Sequence, residues 1–121
     1  MSTFGRAVKN FMKVGPRNSI KQLDTICDIK HGRLVGTDVN GNKYFENNDE
    51  ISGRERWVEY ASSWPDPMDM SPDWHMWVSR IVQEPPTEMN IPAQKWWGEH
   101  IPNLTGGPKA FRTYNTTKPK L

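Results

Sequence analysis

A chain of 121 residues with 35% hydrophobic residues, a mean hydropathy of -0.82 and a formal net charge of +2 forms one domain at most and has little aliphatic material for an interior. A single cysteine, Cys27, excludes an internal disulfide, and the absence of any run of about 18 apolar residues excludes a transmembrane helix. Six tryptophans and ten prolines stand out against this background, and the charge is segregated: residues 1–23 and 100–121 are basic and free of acids, while the middle of the chain is acidic.

The first recognisable element is helical. Phe4, Val8, Phe11 and Met12 recur at i, i+4, i+7 and i+8, with Arg6, Lys9, Asn10 and Lys13 on the other faces, until Gly15-Pro16 stops the pattern. Such a short basic amphipathic helix has four readings. It is a mitochondrial presequence, a helix lying on a phospholipid surface, an arm docked on a partner, or a helix folded back on its own sheet. Few serines and no evident cleavage site favour a retained docking arm, residues 1–32, with Phe4 and Phe11 as its contact candidates. With Cys27 alone no disulfide staples the fold, so a reducing compartment is expected, and no apolar core of a secretory signal is read either. Residues 20–30 read as a further helical turn or a leading strand.

Residues 33–60 carry the strongest local signal, a three-stranded antiparallel meander. Asn40-Gly41 lies between two short strand-forming runs, and the pair accepts positive φ at both central positions, so residues 34–38 fold back on residues 43–46. A third strand over residues 54–60 brings Trp57, Val58 and Tyr60. Asp38, Asn40 and Asn42 mimic the first ligands of a calcium loop. Lys43 stands where the loop needs Gly and Asp49 where it needs Glu, so the turn explains them better.

After a proline-rich loop, Ser71-Pro72-Asp73 supplies an N-cap, a proline for the first helical position and an acid for the positive helix end. A helix over residues 72–83 follows, with Trp74, Trp77, Val78 and Ile81 on the face that covers the sheet, until Pro85-Pro86 ends it. The fold class is therefore α+β: a small three-stranded antiparallel sheet with one covering helix over residues 33–84, preceded by the amphipathic helix and followed by a long extended arm. Trp57, Trp74 and Trp77 are the candidates for packing this hub.

Residues 85–121 contain six prolines and no sustained periodicity, which forbids a core of their own. Yet they carry Trp96, Trp97, Phe111 and Tyr114. An extended ribbon whose rings are buried on a partner reconciles the two facts. Catalytic signals are missing throughout. There is no nucleophile elbow, phosphate loop or carboxylate pair, and Cys27, His31, His75 and His100 have no partners at metal-ligand spacing. A small hub without disulfide or metal, bearing two arms it cannot bury, reads as a permanent subunit of an assembly.

An ordered set of segments also resembles a known family. Leu34-Val35-Gly36-Thr37-Asp38, Gly41-Asn42-Lys43-Tyr44-Phe45-Glu46, Gly53-Arg54-Glu55-Arg56-Trp57-Val58, Ser71-Pro72-Asp73-Trp74-His75-Met76-Trp77, Glu84-Pro85-Pro86-Thr87 and Asn103-Leu104-Thr105-Gly106 are similar to the alpha-subcomplex subunit 12 family of respiratory complex I. The family pattern is departed from at Phe45, Glu55, Met76 and Gly107. The resemblance implies a non-catalytic accessory subunit of NADH:ubiquinone oxidoreductase, peripheral on the matrix side of the mitochondrial inner membrane, where the matrix arm meets the membrane arm. It implies no cofactor on this chain, and it implies other complex I subunits as partners, the iron-sulfur-bearing core subunits of the matrix arm among them. Phospholipid at the N-terminal helix is a further candidate partner. An assembly factor of the same complex is the related alternative; its family lacks the Asn-x-Thr-Gly segment and the basic ending with Tyr114. A nucleic-acid-binding module is the unrelated alternative, disfavoured because the body is net acidic where the rings concentrate.

Overall fold

The computed structural model describes residues 3–92 and 94–112. Along the chain lie α1 (Thr3–Val14), α2 (Pro16–Ile26), β1 (Arg33–Thr37), β2 (Lys43–Glu46), β3 (Arg56–Glu59), a 3-10 turn (Pro67–Asp69) and α3 (Pro72–Val78). The strands form one antiparallel sheet in the order β1-β2-β3, so the fold is α+β. Gly15, at φ 85, separates α1 from α2, and Pro16 opens the second helix with its fixed φ. Residues 20–26 are therefore helical rather than a leading strand, and the left-handed Cys27 ends them.

The register sorts side chains between two faces. Tyr44 stands opposite Gly36 and Val58, and Phe45 opposite Leu34 and Trp57. On the first face Tyr44 stacks on Trp74 with centroids 4.1 Å apart, and Trp74 meets Trp77 edge-on at 5.7 Å. Met70 completes this core, and Val35, Val58, Tyr60, Val78 and Val82 surround it. Gly36 permits the stack: a Cβ there would lie 2.6 Å from a ring carbon of Trp74.

Trp57 is also buried, at 7% exposure, but on the opposite face. It stacks on Phe45, lies under the Lys30 ammonium at 5.0 Å and fits only because residue 32 is glycine, whose Cβ would meet it at 2.4 Å. Its indole N–H has no hydrogen-bond partner among the described residues. The three hub tryptophans thus serve two interiors. α2 approaches the Trp57 face through Gln22, whose amide donates to the Glu59 carboxylate at 2.7 Å and exchanges hydrogen bonds with the Lys30 backbone. A cavity of about 320 Å³ remains between α2 and this face.

Two local expectations are corrected. The hairpin turn is not a two-residue loop with positive φ at both centres. The β1–β2 pairing ends at Thr37 and Lys43, and Gly41 alone takes a positive φ, of 83. Asp38 imposes the longer turn: its carboxylate accepts from the Val39 N–H at 2.6 Å, from the Ser71 N–H at 2.9 Å and from the Tyr44 hydroxyl at 3.3 Å. Asn40 and Asn42 donate to the Asp69 carbonyl, and Asn42 also accepts from the Ala61 N–H. The residues that imitate a calcium loop thus latch the hairpin tip to the start of α3.

The second correction concerns α3, which stops at Val78 rather than near residue 83. Arg80 turns left-handed at φ 60, and the N–H groups of Ile81 and Val82 return to the Met76 carbonyl. That turn puts Val82 against the core and leaves Ile81 exposed. Ser71 sits at the N-cap of α3, and among the described residues its side chain makes no capping hydrogen bond.

Candidate partner-docking surfaces

α1 is mounted with its polar side inward. Arg6 and Asn10 lie on one side of the helix, roughly half a turn from Phe4, Val8 and Phe11. The Arg6 guanidinium pairs with Asp28 at 3.0 Å and with Glu50, and the Asn10 amide donates to the Ile29 carbonyl at 2.9 Å. Asn10 and Glu50 are buried, whereas Phe4 is 80% exposed and Met12, Val8 and Phe11 are exposed with it. Ile20 and Leu23 of α2 are exposed as well. Arg54 closes the same cluster by pairing with Asp28 at 2.7 Å, and its carbonyl accepts from the Lys30 ammonium at 3.0 Å. Burial, with Arg54 alongside, holds the Lys30 ammonium below the usual lysine range.

The C-terminal segment presents its rings on turns and extended backbone. Trp96 and Trp97 meet edge-on at 5.8 Å on a turn closed by the Trp97 N–H and the Gln94 carbonyl at 3.0 Å. Trp96 is 79% and Phe111 87% exposed, and Trp97 is exposed too. Asn103 holds the next bend by accepting from the N–H and hydroxyl of Thr105, and Gly106 follows at φ 89. The His100 ring lies 3.0 Å from the Met68 carbonyl, which ties the arm to the 3-10 turn.

Of the partner-contact candidates, Phe4, Phe11, Trp96, Trp97 and Phe111 are exposed, and Tyr114 lies outside the described residues. Sequence reasoning missed Trp64, which is exposed on the proline-rich loop, although its setting between Ser63 and Pro65 signals a ring on irregular backbone. It also missed Arg56. That guanidinium, with its side chain only 5% exposed, pairs with Glu46 at 3.1 Å and donates to the carbonyls of Trp77, Val82 and Gln83. It lies 4.5 Å over the Trp77 ring and neutralises the carbonyl end of α3. Strand register joins Arg56 to Glu46 and the packing of α3 brings the carbonyls, so no local pattern announces them.

Among the described residues, no three His, Cys, Asp or Glu side chains are grouped to hold a metal ion. No helix among them is long and apolar enough to cross a membrane. Arg6, Arg54 and Arg56 are paired with carboxylates, while Phe4, Phe11, Trp64, Trp96, Trp97 and Phe111 are exposed.

The family described as NADH ubiquinone oxidoreductase subunit NDUFA12 matches this chain over residues 32–121, from the approach to β1 through the sheet, α3 and the ring-bearing arm. The chain belongs to this family. Among relatives, NADH dehydrogenase [ubiquinone] 1 alpha subcomplex subunit N7BM of Yarrowia lipolytica is 43% identical, covering 99% of this chain and 91% of the relative. Alpha subcomplex subunit 12 of Bos taurus is 36% identical over 88% of this chain and 80% of its own length. A probable subunit 12 of Caenorhabditis elegans is 34% identical over 98% and 82%. The family match begins at Gly32, so α1 and α2 lie outside it, while the Yarrowia relative aligns with nearly the whole chain. The resemblance carried by the ordered segments is therefore a family relationship.

Proposed function

We propose that this chain is a non-catalytic accessory subunit of respiratory complex I, which stabilises the matrix arm and its junction with the membrane arm. Family membership over residues 32–121 is the observation that carries this reading. The exposed rings supply its mechanism. Trp96, Trp97 and Phe111, exposed on the C-terminal arm, are anchors for neighbouring subunits, the iron-sulfur-bearing core subunits of the matrix arm among them. Tyr114, beyond the described residues, is proposed to extend the same ribbon. The chain holds no redox cofactor in this reading and works by covering and bracing surfaces. Phospholipid at α1 is its second class of partner, and the protein is peripheral on the matrix side of the mitochondrial inner membrane.

Native gel electrophoresis of a mild-detergent mitochondrial extract, followed by immunodetection of this chain, tests the assignment. Co-migration with the NADH-oxidising band is expected, and the band should weaken or shift to smaller subassemblies when the chain is depleted. A chain found only in subassemblies and never in the complete complex would instead be an assembly factor.

A further inference from the structure

An amphipathic helix on a small protein ordinarily buries its apolar stripe and shows its polar side to water. α1 does the reverse. Its polar side is fixed by Arg6 between Asp28 and Glu50 and by Asn10 on the Ile29 carbonyl, and Phe4, Val8, Phe11 and Met12 point away. Because these contacts engage the side opposite the stripe, the helix cannot roll without unpairing charges that are largely buried. The outward presentation is built into the fold.

The charges around the stripe identify what covers it. Residues 1–23 contain five cations and no acid. Lys9 borders Met12 on α1, Lys13 lies nearer the Arg6 side of the same helix, Arg17 and Lys21 continue on α2, and none of the four pairs with a carboxylate among the described residues. Unpaired cations on helices that also carry exposed apolar rings match an anionic, apolar boundary: the rings meet hydrocarbon while the long cationic side chains reach phosphate. With 12 residues, α1 is roughly 18 Å long, too short for a hydrocarbon core of about 30 Å. It can lie along such a boundary and cannot pass through it.

We infer that α1 is an anchor for an anionic phospholipid surface, held apolar side outward by the Arg6 clamp to Asp28 and Glu50. This deepens the lipid part of the proposed function and rests on it; the subunit assignment stands independently. The anchor gives the body a defined orientation, since the clamp couples the helix to the loop carrying Glu50 and, through Asp28 and Arg54, to the approach to β3.

The test uses the full chain with sedimentable vesicles of phosphatidylcholine, alone or mixed with phosphatidylglycerol, at low and high salt. Binding to the mixed vesicles is expected to exceed that to neutral ones and to weaken with salt. The double variant Phe4→Ser/Phe11→Ser should bind about tenfold more weakly or worse, since the apolar area is lost. Lys9→Glu/Lys13→Glu should lose the preference for anionic vesicles. All four side chains are exposed, so circular dichroism should be unchanged. No binding to mixed vesicles, or binding indifferent to both variants, overturns the inference and assigns the stripe to a polypeptide. Native gels of cells expressing the variants separate the two readings: a chain that joins the complex yet ignores vesicles defeats only the anchor, and one that binds vesicles yet never joins the complex defeats only the subunit.

Discussion

Arg56 ties the sheet to the end of α3, and its replacement by methionine puts a number on that tie. The stem is nearly kept in length, but the Val82 and Gln83 carbonyls lose this donor, while the Trp77 carbonyl keeps the Arg80 N–H at 3.1 Å and the Glu46 carboxylate keeps Arg33 at 3.4 Å. A hydrogen bond to a charged group contributes about 1.5–3 kcal/mol when both partners are dry. Gln83 is exposed, so water replaces the arginine there; the carbonyls of buried Trp77 and half-buried Val82 are not so easily resolvated. One carbonyl left bare, with the Trp77 carbonyl and the Glu46 carboxylate each reduced to a single remaining partner, gives a cost of about 2–4 kcal/mol. Domain stabilities run to about 5–15 kcal/mol, so Arg56→Met removes much of the margin. Urea unfolding of the full chain, followed by near-ultraviolet circular dichroism of the stacked rings, should show a midpoint lowered by roughly 2 M. Arg56→Lys keeps the charge without the planar fork and should fall between the two. A methionine variant within about 1 kcal/mol of the parent would show that α3 closes without this guanidinium.

The other predictions concern close approaches, the turn, ionisation and the arm. Gly36→Ala places a methyl 2.6 Å from Trp74 and should cost about 1–3 kcal/mol by thermal unfolding, with reduced near-ultraviolet signal; an unchanged signal means the stack tolerates the shift. Gly41→Val forces a β-branched residue to φ 83 and should destabilise by about 1–2 kcal/mol in the same assay, and a neutral result would mean the hairpin adopts another turn. Burial, and then the neighbouring Asp38, push the Tyr44 phenol above its ordinary range. Above pH about 10 the unfolded chain therefore binds fewer protons than the folded one, and stability falls as pH rises. Tyr44→Phe should flatten that fall, read as the difference between parent and variant urea midpoints; Lys30, shifted down, acts oppositely and cancels in the difference. Trp97→Ala should leave the unfolding midpoint of the isolated chain within about 0.5 kcal/mol while reducing incorporation into the complex, and unchanged incorporation removes Trp97 from the interface.

The parts legible in the sequence are those coded locally. Asn40-Gly41 marked the hairpin, Pro72 the start of α3, and Gly15-Pro16 the end of α1. The errors have a common origin in contacts distant along the chain. The hairpin turn is set by Asp38 reaching Ser71, and the end of α3 by Arg80 turning left-handed where it pairs with Glu55. Periodicity located the apolar stripe of α1 but carries no information about which side meets the body. That depends on Asp28 and Glu50, which lie far along the chain. The assignment of Trp57 to a second interior likewise waited for the register, since one residue decides which face a strand side chain takes.

The orientation of α1 can be weighed against its alternative. Rolled half a turn, the helix would turn Phe4, Val8 and Phe11 toward the body, and a fully buried side chain of this kind is worth about 1.5–3 kcal/mol. The surface it would meet consists of the Asp28 and Glu50 carboxylates, the Arg54 guanidinium and the Ile29 carbonyl. Apolar groups laid there would desolvate charges and give them no partner, and losing Arg6 alone costs about 3–5 kcal/mol for a pair this buried. The gain requires a dry apolar seat that this body does not offer, while the loss is immediate. The polar cradle therefore selects the face-out helix, and the exposed stripe is the consequence of a surface chosen to hold arginine. Tyr44, Trp74 and Trp77 pack with Met70 into a core that leaves Trp96, Trp97 and Phe111 of the C-terminal arm exposed.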